Sequence, residues 1–402
     1  MDTGILSILL RLLPYRFSGH TILSTILFVF NIALFSLFTL ASLLRATRFR
    51  QHVRSQTFSN AEELSYLGAP PTAYLTLVAQ VALTCSSAWG FKWTVVAYVL
   101  WWVGCVWSVC LTSFTVVVLV KRNITSDRDV SPAVFLPLIS VMTLGTTGGI
   151  VVNYATGISA AMAVPVIVVG YMAIGYGFFL ALLYYAFLAH RLVAVGLPVP
   201  AKIPALMIAV GPMGQFATAI QELSTAANTR GLFGAYDRGV WLTASAASSV
   251  SAAAVLLALL ALGFGFLWIT IAWYIVVEAA VKRQLPFSLT WWSLIFPMGM
   301  SSTDSNVLTI DSLARRLRDC SAEPQHRIGF CRISRFDGRA RNYFVHLILC
   351  QLGRFALAHL AGCCAWDSTA EKRGRSAGEG QKGTHGPLCR AERKYEWTCE
   401  WK

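Results

Sequence analysis

Apolar residues along this chain come in long runs broken by short polar stretches. Residues 21–44, "TILSTILFVFNIALFSLFTLASLL", form the first full run. A helix needs roughly 20 such residues to cross the hydrocarbon core of a bilayer. Comparable runs occupy 72–86, 93–120, 132–155, 162–188, 203–226 and 246–277, and a ninth segment begins at 288–300. The apolar stretch at 4–13 is too short to span, and reads as the back end of a first helix whose front is missing. The run at 246–277 is over-long, which predicts a tilt or an interfacial turn. Trp101, Trp102 and Trp107 in the fourth run predict an aromatic belt at the membrane surface. The expected fold is an all-α integral membrane protein of about nine to ten transmembrane helices.

Composition agrees and adds an orientation. Hydrophobic residues make up 56% of the chain and charged ones 13%, about half the charged share of a soluble protein. The formal net charge is +14. In a membrane chain this reflects basic loops on the cytoplasmic side, not nucleic acid. One set of loops carries Arg45, Arg48, Arg50, Arg54, Lys121, Arg122, Arg128, Arg191, Lys202, Lys282 and Arg283. The opposite set carries only Arg16, Lys92, Arg230 and Arg238. The first set is predicted to be cytoplasmic, with the N-terminus inside and the Asn123-Ile124-Thr125 sequon unglycosylated. No cleavable signal peptide is evident.

Residues 1–300 therefore read as the transmembrane domain. The remainder, 301–402, reads as a basic, cysteine-rich and poorly ordered tail or a gene-prediction artefact. It holds seven of the ten cysteines and only a weak tenth apolar stretch at 343–361. Cys85, Cys105 and Cys110 fall inside apolar runs, where cysteine is usually a small buried hydrophobe.

Catalytic and cofactor signatures are missing. There is no phosphate-binding G-x-x-x-x-G-K-[ST], no H-E-x-x-H and no G-x-S-x-G. Cys363-Cys364 near His359 lacks the further ligands of a metal site. No cofactor, metal, nucleic acid or enzymatic activity is expected, and transport or conduction remains.

The informative residues are polar ones inside the spans. "VGPMGQFATAIQELS", at 210–224, carries Gly211, Pro212, Gly214, Gln215, Thr218 and Glu222 within a spanning segment. Gly211, Gln215, Thr218 and Glu222 follow steps of four, three and four, so they share one helix face. Such a stripe points to a water-filled path, or to close helix packing with glutamine bonding across. Ile208, Met213, Phe216 and Ile220 are left for lipid or packed helices. Similar interruptions recur in the fifth run (Thr147, Gly148 and Gly149), the ninth (Phe296, Pro297 and Gly299), the stretch at 3–7 and the entry to the third run at 68–71. Even-numbered runs lack comparable polar breaks. The alternation predicts helical hairpins with one arm inside and one outside, around a central pore. No Lys or Arg lies mid-span in the second to ninth runs, so no fixed cation would hold an anion tightly. Basic loops would concentrate anions at the cytoplasmic mouth. Glu222 is expected at the outer rim.

"GTTGG", "LPVPAKIPALMIAVGPMGQ" and "LTWWSLIFPMG" together resemble the tellurite-resistance/dicarboxylate transporter family, within the voltage-dependent anion channel superfamily. That family includes fungal sulfite efflux pumps, malic acid transporters and slow anion channels of plant guard cells. The resemblance covers about residues 3–300. It implies ten helices in five hairpins, a pore lined by the odd helices and a homotrimer in the lipid bilayer. It also implies a phenylalanine gate at the position of Phe296, whose alternative role is a packed core aromatic. The run after Gly211-Pro212 is nearer the sulfite branch than the malate branch. The expectation is a plasma-membrane sulfite exporter. A C4-dicarboxylate (malate) transporter and a non-transporting receptor or scaffold are the alternatives.

Overall fold

The computed structural model describes residues 1–12, 17–122, 130–286 and 289–295, with Pro297 and Gly299. The sequon, Phe296, the stretch at 343–361 and the whole segment 301–402 lie outside the described residues. Among the described residues twelve α-helices follow one another: α1 Asp2–Leu12, α2 His20–Arg48, α3 Arg50–Ser59, α4 Ala61–Ser65, α5 Ala69–Gln80, α6 Ser86–Trp89, α7 Phe91–Arg122, α8 Phe135–Tyr154, α9 Ala160–Ala194, α10 Gly211–Asn228, α11 Leu232–Tyr236 and α12 Ala244–Val281. Among the described residues there are no strands, only the isolated bridge between Arg238 and Leu242. Six helical segments among them are long and apolar enough to cross a membrane.

Several boundaries differ from those the apolar runs suggest. The basic stretch 45–54 is not a loop: α2 continues to Arg48 and α3 starts at Arg50. The third run extends over 69–89, opened by prolines in the first turn of α5 and carried through a π-helical turn at Val81–Cys85 into α6. Proline is tolerated in a first turn because those N–H groups have no partner there. α12 is a single helix of 38 residues without an interfacial turn. Trp101 does not join an aromatic belt. It is fully buried, and its indole N–H donates to the Leu144 carbonyl at 3.1 Å.

Burial separates the long helices into two classes. In the most apolar window of α8, and of the segment Pro200–Asn228 that ends in α10, every residue is buried. The corresponding shares are 11% in α2, 33% in α7, 39% in α9 and 28% in α12. Each outer helix packs on the inner one beside it in the chain: α2 on α1, α7 on α5, α9 on α8 and α12 on α10. The exposed flanks of the outer helices, such as Val106, Phe179 and Leu260, are apolar, as lipid contact requires. This is the alternation that the polar interruptions predict.

The inner helices are neighbours in chain order. α1 packs on α5, α5 on α8 and α8 on α10. The 3₁₀ segment Pro200–Val210 leading into α10 packs on the 3₁₀ turn Leu289–Leu294. Gly299 then meets α1, where an added Cβ would lie 3.0 Å from Ile5. Five inner segments thus form a closed ring.

Candidate functional site

The stripe on α10 forms at a change of helix type. The 3₁₀ segment ends at Val210, and Gly211 and Pro212 start the α-helix. Pro212 therefore sits in a first turn and removes no ladder bond. From there Gly211, Gln215, Thr218 and Glu222 recur on one side, and all four are buried. Two neighbours occupy other sides of α10: Phe216 stacks on Phe178 of α9 with centroids 4.0 Å apart, and Met213 lies against Gly265 of α12. Gly211, within the stripe, meets Ile139 of α8. Ile208, Met213, Phe216 and Ile220 accordingly face packed helices, not lipid.

α8 supplies the partners of this stripe. The Thr146 hydroxyl donates to Gln215 Oε1 at 2.7 Å. With its carbonyl engaged, the Gln215 amide keeps Nε2 buried and, among the described residues, without a hydrogen-bond partner. Asn153 Nδ2 donates to Glu222 Oε2 at 2.7 Å and to the Glu222 carbonyl at 2.8 Å. Glu222 is 2% exposed, so it does not occupy a solvated outer rim. Gly149 makes this approach feasible. A Cβ there would collide with the Glu222 side chain and lie 3.0 Å from its backbone carbon.

The other candidates on α8 turn to different neighbours. Thr147 donates to the Leu75 carbonyl of α5 at 3.5 Å. Gly148 faces the outer helices, since its Cβ would meet Val166 of α9 at 3.0 Å and Trp101 of α7 at 3.1 Å. Gly148 therefore serves the packing of Trp101 and does not face the ring interior. Pro297 and Gly299 are buried in the ninth segment, Gly299 against α1. Gly214 is buried on α10.

A second polar network, not anticipated from the sequence, ties α1 into the ring. Gln80 Nε2 donates to Ser7 Oγ at 2.7 Å, and Ser7 and Ser24 hydroxyls each donate to the other's carbonyl at 2.7 and 2.8 Å. Thr3 donates to Asn31 at 2.6 Å. The serine at position 7 was visible in the sequence, but its partners lie on α2 and α5, which no local spacing reveals.

Where the inner helices begin, a cleft of about 550 Å³ is lined by Arg191, Lys202, Glu62 and Asn60. Lys202 pairs with Glu62 there. The Tyr66 hydroxyl donates to Glu62 at 3.2 Å, and burial together with the Glu62 carboxylate pushes the phenol above its usual range. Groups of three or more metal-ligating side chains are absent among the described residues.

The inner helices form a ring that is wrapped by apolar outer arms and carries polar groups on its inner segments. The family described as voltage-dependent anion channel matches residues 1–316. The chain belongs to that family. It is a multi-pass membrane protein that transports small anions. Among similar proteins is the sulfite efflux pump of Arthroderma benhamiae, 26% identical over 303 residues, 75% of this chain and 78% of that one. A putative malic acid transport protein of Schizosaccharomyces pombe is 24% identical over 304 residues, 74% of this chain and 67% of that one. An uncharacterized transporter of Methanocaldococcus jannaschii is 22% identical over 294 residues, covering 70% and 73%. All three carry the names of transport proteins.

Proposed function

We propose that this chain exports sulfite across the plasma membrane without ATP, through the interior of the inner ring. The observation that carries the reading is the pairing of full burial with polarity on α8 and α10. Polar residues in a membrane interior are costly unless they meet protein or a water-filled path. Thr147, Gly211, Gly214, Gln215, Thr218 and Glu222 are the lining candidates, with Phe296, Pro297 and Gly299 as gate. The unpartnered Gln215 amide is a neutral donor. It can hydrogen-bond an oxyanion without the charge attraction that would trap it. The excess of basic residues in one set of loops supports a cytoplasmic N-terminus, and the family resemblance supports a homotrimer.

Sulfite is favoured over malate by the similarity to sulfite pumps at 26% identity beside 24% for the malic acid relative. A deletion strain should become sulfite-sensitive while its malate uptake stays normal. The reverse result would favour malate transport. In liposomes, purified protein should carry sulfite, and Phe296→Ala should raise the flux. A receptor or scaffold would give none in either form.

A further inference from the structure

The corner between α2 and α3 concentrates charge far from the inner ring's polar stripe. No Asp or Glu occurs between Asp2 and Glu62, whereas Arg45, Arg48, Arg50 and Arg54 all fall there. The four arginines are exposed, and among the described residues none pairs with a carboxylate. The chain turns at Phe49, where α2 ends and α3 begins. At this turn Arg48, Phe49, Arg50, Gln51, His52 and Ser55 line a hollow of about 500 Å³. Gln51 and Ser55 lie one turn apart on α3 and share a face. Further along α3, Phe58 meets Phe114 of α7 edge-on, with centroids 6.0 Å apart and the Arg122 guanidinium 5.4 Å from the Phe58 centroid. α3 is thereby held against α7, which keeps its wall of the hollow in place. The depth of the hollow follows from the length of α2. Its 29 residues make about 43 Å of helix, which overruns a hydrocarbon core of about 30 Å. Leu40, Leu43 and Leu44 near its end are exposed, and the exposed Phe49 continues that apolar flank. The hollow therefore sits where acyl chains give way to headgroups.

We propose that the hollow between α2 and α3 binds a membrane lipid whose headgroup carries phosphate esters, with Arg48 and Arg50 as its principal ligands. The site takes from the transport reading only the cytoplasmic placement of this corner. Anionic lipids line that leaflet, and basic segments beside a spanning helix are drawn to them. A guanidinium offers two parallel N–H donors that match a phosphate, so phosphate esters suit two arginines better than a lone carboxylate does. Gln51, His52 and Ser55 add neutral donors on the same wall. Arg45 and Arg54 add positive charge on either side. Phe49 offers no capping side chain to α3, so the helix dipole adds to the same attraction. Membrane orientation alone requires basic residues, but not two arginines on one concave wall with an exposed phenylalanine between them. That phenylalanine argues for a lipid over a free phosphate, because its ring gains contact with acyl chains that a soluble anion lacks.

The test is lipid binding by purified full-length protein in neutral detergent. Fluorescent short-chain phosphatidylinositol bisphosphate, phosphatidylserine and phosphatidylcholine are titrated separately, and soluble inositol trisphosphate serves as competitor. The bisphosphate lipid should bind about tenfold or more tighter than phosphatidylcholine, and Arg48→Gln and Arg50→Gln should each weaken it about fivefold. The corresponding lysine variants should lose less, since they keep the charge but not the fork. Arg230→Gln, in the opposite set of loops, should change nothing. Gln51→Glu, which sets a carboxylate in the hollow, should also weaken binding and replaces any arginine variant that aggregates. Equal binding of the bisphosphate lipid and phosphatidylcholine would overturn the site, as would unchanged binding in every folded variant. Phosphatidylserine binding as tightly as the bisphosphate lipid would overturn the phosphate-ester assignment. Inositol trisphosphate binding as tightly as the lipid would overturn the choice of a lipid. None of these readings needs anion flux, so the lipid site and the transport reading fail separately.

Discussion

At residue scale, the contact between α8 and α10 rests on polar side chains that leave little slack. Asn153 is the hydrogen-bond partner that neutralises the cost of burying the Glu222 carboxyl. Asn153→Leu leaves that carboxyl unpaired and should destabilise the protein by about 2–4 kcal/mol, read as a fall in unfolding temperature in detergent. Glu222→Gln, which keeps a partner for Asn153, should cost far less. Gly149→Val must push α8 from α10 and should cost about 1–3 kcal/mol. Gly148→Ala meets a side chain instead, and should be milder. Thr146→Val frees the Gln215 carbonyl and lets its amide turn. Sulfite flux should then show a raised half-saturation concentration, alongside a stability loss of about 1–3 kcal/mol from the unpaired buried carbonyl.

At element scale, helix positions were legible from the sequence because lipid demands long apolar runs. Inner and outer classes were legible too, since only enclosed segments tolerate residues such as Gln215 and Glu222. What periodicity could not supply was the identity of neighbours. Trp101 reads as an interfacial anchor by composition, yet its indole is turned inward to Leu144 across a contact that Gly148 permits. Glu222 reads as a rim residue because it lies near the end of an apolar run, but Asn153, 69 positions earlier, holds it inside. The π-helical turn has no local sequence signature. The burial pattern makes its own prediction. Leu260, 64% exposed in the middle of α12, faces lipid, so Leu260→Lys should cost about 2.5–3.5 kcal/mol of insertion free energy and reduce surface expression. Val193, 90% exposed near the end of α9, should accept lysine because the side chain can reach water.

For the whole molecule, the closed ring follows from contacts that no single run of sequence shows. The short α1 completes it by bonding to α2 and α5 and packing on Gly299. Charge asymmetry predicts its direction across the membrane. An N-terminal epitope should be detected only after permeabilisation, and one inserted beside Arg238 should be detected on intact cells. The opposite pattern would invert the proposed direction of export. The account stands most directly on whether water reaches the interior of the ring. Single cysteines at Thr147, Gln215 and Thr218, in a background without native cysteines, should react with a charged, water-soluble thiol reagent and lose anion flux on reaction. A cysteine at Val106 on the lipid face should not. If the three inner positions stay unmodified while flux proceeds, anions cross elsewhere and the ring is only a packed core.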